Sequence, residues 1–389
     1  MKENKQKLCI KAILTLIMAI LGNSTTYSQQ ITPSFAQKIV QYDYLGDFSC
    51  GLAKVKKGGK YGFIDKAGNE IVPCSYNNVG DFHNNMAWVE NHDWKYGYID
   101  NMGELIIPCK YKRAQDFSEG LAWVNDNGPW RCIDNNGKVV FTLEIISEDR
   151  SNFTDGLSVV TPPEGESSIV NTKGEVLKLS GHSWLGNGIS DGMIMCADAE
   201  EESGETKYVY LDKEGKVTLD CSTIQGDYIY SPFINGLAAV INIDNNNNMT
   251  VGYIDKTGHL RIDATLPYYG ISGVDEDPFV CSEGMIRTVK NFNDEESDDY
   301  LLKYGFVDNK GNLVVPYKFT DAHDFSGGLA AVCDNEGKWG FIDKGGNIII
   351  PFKYDGVSWN SFQDGFALVM IGDKYGYVDK QGNDTFSVK

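Results

Sequence analysis

The sequence predicts an all-β protein built as an array of about nine short antiparallel units, and three observations carry that expectation. The string KWGFIDKGGNIIIP at 338–351 recurs as KYGFIDKAGNEIVP at 60–73 and as KYGYIDNMGELIIP at 95–108. The aspartates closing its Ile-Asp core keep step, at 65, 100 and 134 and again at 308, 343 and 379. Such a period marks a repeat architecture, whose unit buries both faces only by stacking on neighbours. Composition agrees: 42 glycines against 11 prolines suit many tight turns, while 42% apolar and 12% aromatic residues supply packed cores.

Taken in order, residues 1–28 read as a signal peptide. Lys2, Lys5, Lys7 and Lys11 form a basic start, Ala12–Leu21 an apolar stretch, and cleavage is expected after Ser28. Ten apolar residues are too few for a bilayer span, which needs about 20. Cys9 precedes the stretch, so a lipid-anchored cysteine is not expected. The mature chain is expected in the periplasm, secreted or at the cell surface of a bacterium. Residues 29–41 are a lead-in, 42–149 hold three clear repeats, 150–302 hold degenerate repeats with longer loops, and 303–389 return to the clear pattern.

Each unit reads as three strands: Gly-Leu-Ala-x-Val, then aromatic-Gly-aromatic-Ile-Asp, then a branched apolar run ending in proline. Alternation puts Trp339 and Phe341 on one face of the middle strand and Gly340 and Ile342 on the other. Both faces are apolar, as in a strand sandwiched between units. The glycine leaves room for a close backbone approach. Pro73, Pro108, Pro316 and Pro351 end the last strand, since proline donates nothing to a ladder. The repeat core is therefore Tyr61, Gly62 and Asp65; Tyr96, Gly97 and Asp100; Trp339, Gly340 and Asp343; and Tyr375, Gly376 and Asp379.

With Phe-x-x-Gly-Leu-Ala upstream and Ile-x-Pro downstream, this core resembles the bacterial WG-repeat (KWG-repeat) family, strongly at 42–140 and 303–389 and weakly between. The resemblance implies an all-β module of about three strands per unit, used largely for binding. The sequence departs from the pattern at Arg131, which stands in the glycine place. Nine units are many for a closed ring, and about 35 residues are few for a four-stranded blade. The expectation is therefore an open, curved or superhelical stack, with a closed β-propeller as the alternative.

The chain offers little chemistry. Its net charge of −19 disfavours nucleic acid and adhesion to anionic lipid. The five histidines form no metal-ligand spacing, and no phosphate-cradling loop or serine-nucleophile elbow occurs, so no catalytic residue, metal or cofactor is expected. The recurrent aspartates precede glycine turns, where they accept backbone N–H bonds. The acidic or Asn-rich loops at 244–248 and 294–299 lack the spaced ligands of a calcium loop. The eight cysteines beyond the signal peptide contain no CxxC pair and read as buried free thiols; Cys74 and Cys109 alternate with Tyr317 and Phe352 at one repeat position.

Four tryptophans are candidate ligand contacts. Trp88 and Trp123 replace a small residue at equivalent places, and Trp184 and Trp359 lie off the consensus. The function expected is an exported scaffold that binds a protein or glycan without catalysis. The alternatives are a hydrolase of extracellular glycan, using carboxylates of the central repeats, and a structural spacer.

Overall fold

The computed structural model describes residues 30–387 except 144–148, 162–167, 178, 180–183, 200–205, 225–227, 245–248, 269–279 and 293–300. Residues 1–28, expected to be a signal peptide, and most of the two polar loops thus lie outside the described residues. Among the described residues, the short helix α1 (Pro33–Ile39) is followed by nine antiparallel sheets in sequence order. No helix of the described residues is long and apolar enough to cross a membrane.

Unit 1 sets the pattern with strands Tyr44–Ser49, Leu52–Lys57, Lys60–Asp65 and Glu70–Tyr76, hydrogen-bonded in that order. Most units thus hold four strands, where the sequence predicts three. The additional strand carries the Asp-Phe-Ser landmark. It is as short as Asn78–Val79 in unit 2, too short to show a periodicity. Units 4 and 9 hold three named strands, and in unit 9 an Asp384 bridge to Val378 supplies a remnant of the fourth.

The glycine of the third strand answers a bulge in the fourth. A Cβ on Gly62 would sit 2.3 Å from the Val72 carbonyl oxygen, and one on Gly340 2.7 Å from that of Ile350. Pairing slips on both sides of Phe63 and of Phe341, where the proline-containing strand bends. Unit 3 lacks both glycine and proline. There Arg131 pairs with Thr142 and Cys132 with Phe141 without a slip between them, one slip remaining between Cys132 and Ile133, so a side chain is accommodated at Arg131.

Nine apolar clusters hold the sheets together, one at each junction between successive units. In several units a phenylalanine at the first-to-second hairpin packs edge-on against the core aromatic of the unit before: Phe82 on Phe63 at 4.8 Å, Phe117 on Tyr98 at 4.7 Å, Phe325 on Phe306 at 4.9 Å. The ninth junction joins unit 9 to unit 1 by the same device. Phe48 packs on Tyr377 at 5.1 Å, and the Tyr377 hydroxyl donates to the Gly46 carbonyl at 2.6 Å. Tyr98 and Tyr210 make the equivalent bonds to Gln115 and Ser231.

The all-β array of antiparallel units is as the sequence predicts, but its ends meet, which is the propeller alternative rather than the open stack. Counting units against typical blades misses this, because closure is set by interface geometry, and the interface between units 9 and 1 repeats the aromatic packing and tyrosine bond found between successive units. α1 covers the seam. Thr32 caps it by accepting from the Phe35 N–H, Phe35 stacks on Phe366 at 5.7 Å, and the Ile31 N–H donates to Asp379.

Candidate functional site

The two ends of this ring are built differently. At one end, every first strand turns into the second through two residues with positive φ, from Cys50 and Gly51 to Asp364 and Gly365. These are hairpin turns that match the twist of the strands. An acidic side chain at the first position accepts the glycine N–H of the next unit's turn: Glu119 from Gly156, Asp155 from Gly192, and across the seam Asp364 from Gly51, each at 2.7 Å. At the same end lie the third-to-fourth turns. In each the Ile-Asp aspartate takes two backbone N–H bonds, as Asp343 does from Gly345 and Asn347 at 2.9 Å. Asp65, Asp100 and Asp379 do likewise, and Asn171 does so with its amide oxygen.

The other end is variable. Its second-to-third connections run from two residues in unit 1 (58–59) to ten in unit 7 (292–301). The links between units emerge there too. Variation in turn length is thus concentrated at one end. A protein varies a surface in this way where the scaffold is fixed and recognition is not.

Aromatic side chains gather at that end. Trp359, in the first strand of unit 9 (Gly356–Gln363), is 59% exposed and lies on the His323 ring at 4.3 Å and 25°. His323 is buried between Trp359 and Trp339, the latter at 4.6 Å. Burial, and secondarily the Arg287 charge, push its pKa down to about 4, so the ring is neutral. Tyr61 meets Tyr44 edge-on at 6.4 Å, Tyr96 packs on Trp88 at 5.4 Å, and Tyr375 is exposed.

First strands are where neighbouring units converge, since those of units 1 and 9 approach each other directly. They carry a line of polar groups. Ser358 and Asn360 donate to Asp47 at 2.6 and 2.9 Å, and Lys54 pairs with Asp81 at 3.0 Å. Arg287 faces Asp324 at 3.4 Å. Burial pushes the Asp116 carboxyl upward, opposed by His83 at 3.9 Å and by a hydrogen bond from Trp88.

Of the four candidate tryptophans, Trp359 is exposed and Trp88 half-buried. The Trp184 side chain lies outside the described residues. Trp123 is corrected: it is 1% exposed, stacks on Phe153 at 5.6 Å and donates to Ser158. Its reason is local. Unit 3 has Cys132 where others have the core aromatic, and Trp123 pairs with Cys132 and fills that volume from the adjacent strand. The eight cysteines among the described residues are free, five of them buried, whereas Cys50 is exposed in its turn.

Sequence reasoning missed Trp94. It is 68% exposed at the tip of the Asn91–Lys95 turn, with φ of 56°. In unit 8 the matching turn, Asp334–Lys338, is closed by the same hydrogen bonds, and Gly337 occupies that place at φ 77°. The signal was a tryptophan where the sibling turn writes glycine.

Five stretches, 40–61, 61–93, 96–130, 304–339 and 339–375, match the family described as the WG containing repeat. Among curated proteins none matches this chain. Solved structures similar to it include BamB from Moraxella catarrhalis, at 12% identity over 87% of this chain and 94% of that one, with a TM-score of 0.30. The Neurospora crassa Pan2 WD40 domain is similar at 13% identity over 65% and 82%, with a TM-score of 0.32. The computationally designed Ika4 protein is similar at 18% identity over 36% and 88%, with a TM-score of 0.23.

Proposed function

We propose that this chain, in which five stretches match the WG containing repeat, is an exported scaffold that binds a protein or glycan through the variable end of its ring, without turning the ligand over. The carrying observation is Trp94. A bulky side chain in the left-handed region costs about 1–2 kcal/mol, and a mostly exposed indole regains little of that by packing. Strain kept at an exposed aromatic supports a contact role. Concentration of turn-length variation at the same end supports the same reading. The basic apolar leader at 1–28 supports export, and the net charge of −19 supports a partner other than nucleic acid.

Capture from the native cell envelope tests this with matched variants. The wild type and Met102→Ala, altered at the constant end, should retain the same partner, while Trp94→Gly and Trp359→Ala should lose it. Equal capture by all four, or equal loss, would remove the variable end from the function. Turnover of a captured glycan that disappears on replacing one carboxylate would establish the hydrolase instead. Cell fractionation with sequencing of the mature terminus checks export; retention of residues 1–28 in the cytoplasm contradicts it.

A further inference from the structure

We infer that Trp359, laid flat on His323, is a stacking platform for the apolar face of a neutral pyranose ring. This deepens the binding reading above and rests on it. The indole lies on the bulge of this strand, between the paired residues Val357 and Phe362, so its position is set by the ring beneath it rather than by the ladder. One ring face is covered by His323, nearly parallel at 4.3 Å, and His323 rests in turn on Trp339. The other face meets solvent, since the residue is 59% exposed.

The His323 ring beneath is buried, and its Nδ1 finds no hydrogen-bond partner. A buried polar atom without a partner is uncommon, and this one belongs to the ring that underlies the exposed indole. Two residues on, the Ser361 hydroxyl is likewise buried and unpartnered. His323 acts as a positioning residue.

The surroundings select the ligand class. An indole face carries the negative side of the ring quadrupole, which attracts the polarised C–H groups on one side of a sugar. Ser358 and Asn360, the sequence neighbours of Trp359, both donate to Asp47 of unit 1. They form an edge of amide, hydroxyl and carboxylate suited to sugar hydroxyls. The nearby cations are engaged: Arg287 with Asp324 and the Ala322 carbonyl, Lys54 with Asp81. Phosphate or uronate would compete there with carboxylates that these cations already hold, and the field of a chain at −19 repels polyanions. A flat, half-exposed ring also differs from the enclosed pocket that an apolar protein anchor needs.

Calorimetric titration of the full mature protein tests this, with cellohexaose, maltohexaose and chitohexaose as neutral probes and oligogalacturonate and hexalysine as charged ones. At least one neutral hexasaccharide should bind, about tenfold more weakly to Trp359→Ala and with intermediate loss for His323→Leu. Trp359→Phe should restore part of the affinity. An unchanged near-ultraviolet spectrum outside the indole band checks that each variant is folded. If no neutral probe binds, or if binding ignores Trp359, the inference falls. Binding of hexalysine that requires Trp359 would overturn the sugar assignment while leaving the variable end as the binding face. Retained envelope capture by Trp359→Ala and Trp94→Gly would instead sink the wider reading.

Discussion

Replacing Trp94 with glycine separates a residue that shapes the fold from one that meets a partner. Relief of the left-handed strain returns about 1–2 kcal/mol. Against this stands the loss of the buried third of the indole, since the residue is 68% exposed. At roughly 25 cal/mol per Å² that loss is at most about 2 kcal/mol, an upper bound because unfolded chains are partly compact. The two nearly cancel, so Trp94→Gly should leave unfolding free energy within about 1 kcal/mol of wild type while partner capture is lost. Trp123→Ala is the contrast: a buried tryptophan should cost about 3–5 kcal/mol. Urea unfolding followed by far-ultraviolet dichroism measures both. A loss beyond about 2 kcal/mol for Trp94→Gly would show that the indole is structural and refute the reasoning.

Two further outcomes follow from the same structure. Gly340→Ala puts a Cβ 2.7 Å from a backbone oxygen that cannot rotate away, so it should cost about 1–3 kcal/mol in chemical denaturation; no cost would mean that the bulge is adaptable. His323, ordinarily near 6.5 and here about 4, takes up its proton in the unfolded chain first. Its contribution is therefore lost as pH falls below 6.5 toward 4, by about 2 kcal/mol at pH 5. His323→Phe should flatten that part of the stability–pH curve, and an unchanged slope would place the titration elsewhere.

Much of this fold is legible in the sequence because its devices are local. Aromatic-Gly-aromatic-Ile-Asp states an alternation, a close approach and a turn within a few residues, as Gly62 and Asp65 illustrate. The innermost strand is harder to read, since Asn78–Val79 is too brief to alternate. Ring closure is not local at all. Phe48 and Tyr377 are ordinary repeat residues, and nothing in either names the other as a partner. The site follows the same division. Trp359 stands out as an off-pattern tryptophan, but its support, His323, lies one unit away. Trp123 misleads because a cysteine on the neighbouring strand had vacated the volume it fills. Trp94 was readable only by setting its turn beside Asp334–Lys338.

The seam between units 9 and 1 carries the account, because it turns nine units into a ring with one constant and one variable end. A double-mutant cycle of Phe48→Leu and Tyr377→Leu measures it directly by denaturant unfolding. A closed ring, with these rings 5.1 Å apart, predicts a coupling energy of about 0.5–1.5 kcal/mol. Strict additivity of the two substitutions, as expected for residues at opposite ends of an open stack, would contradict it.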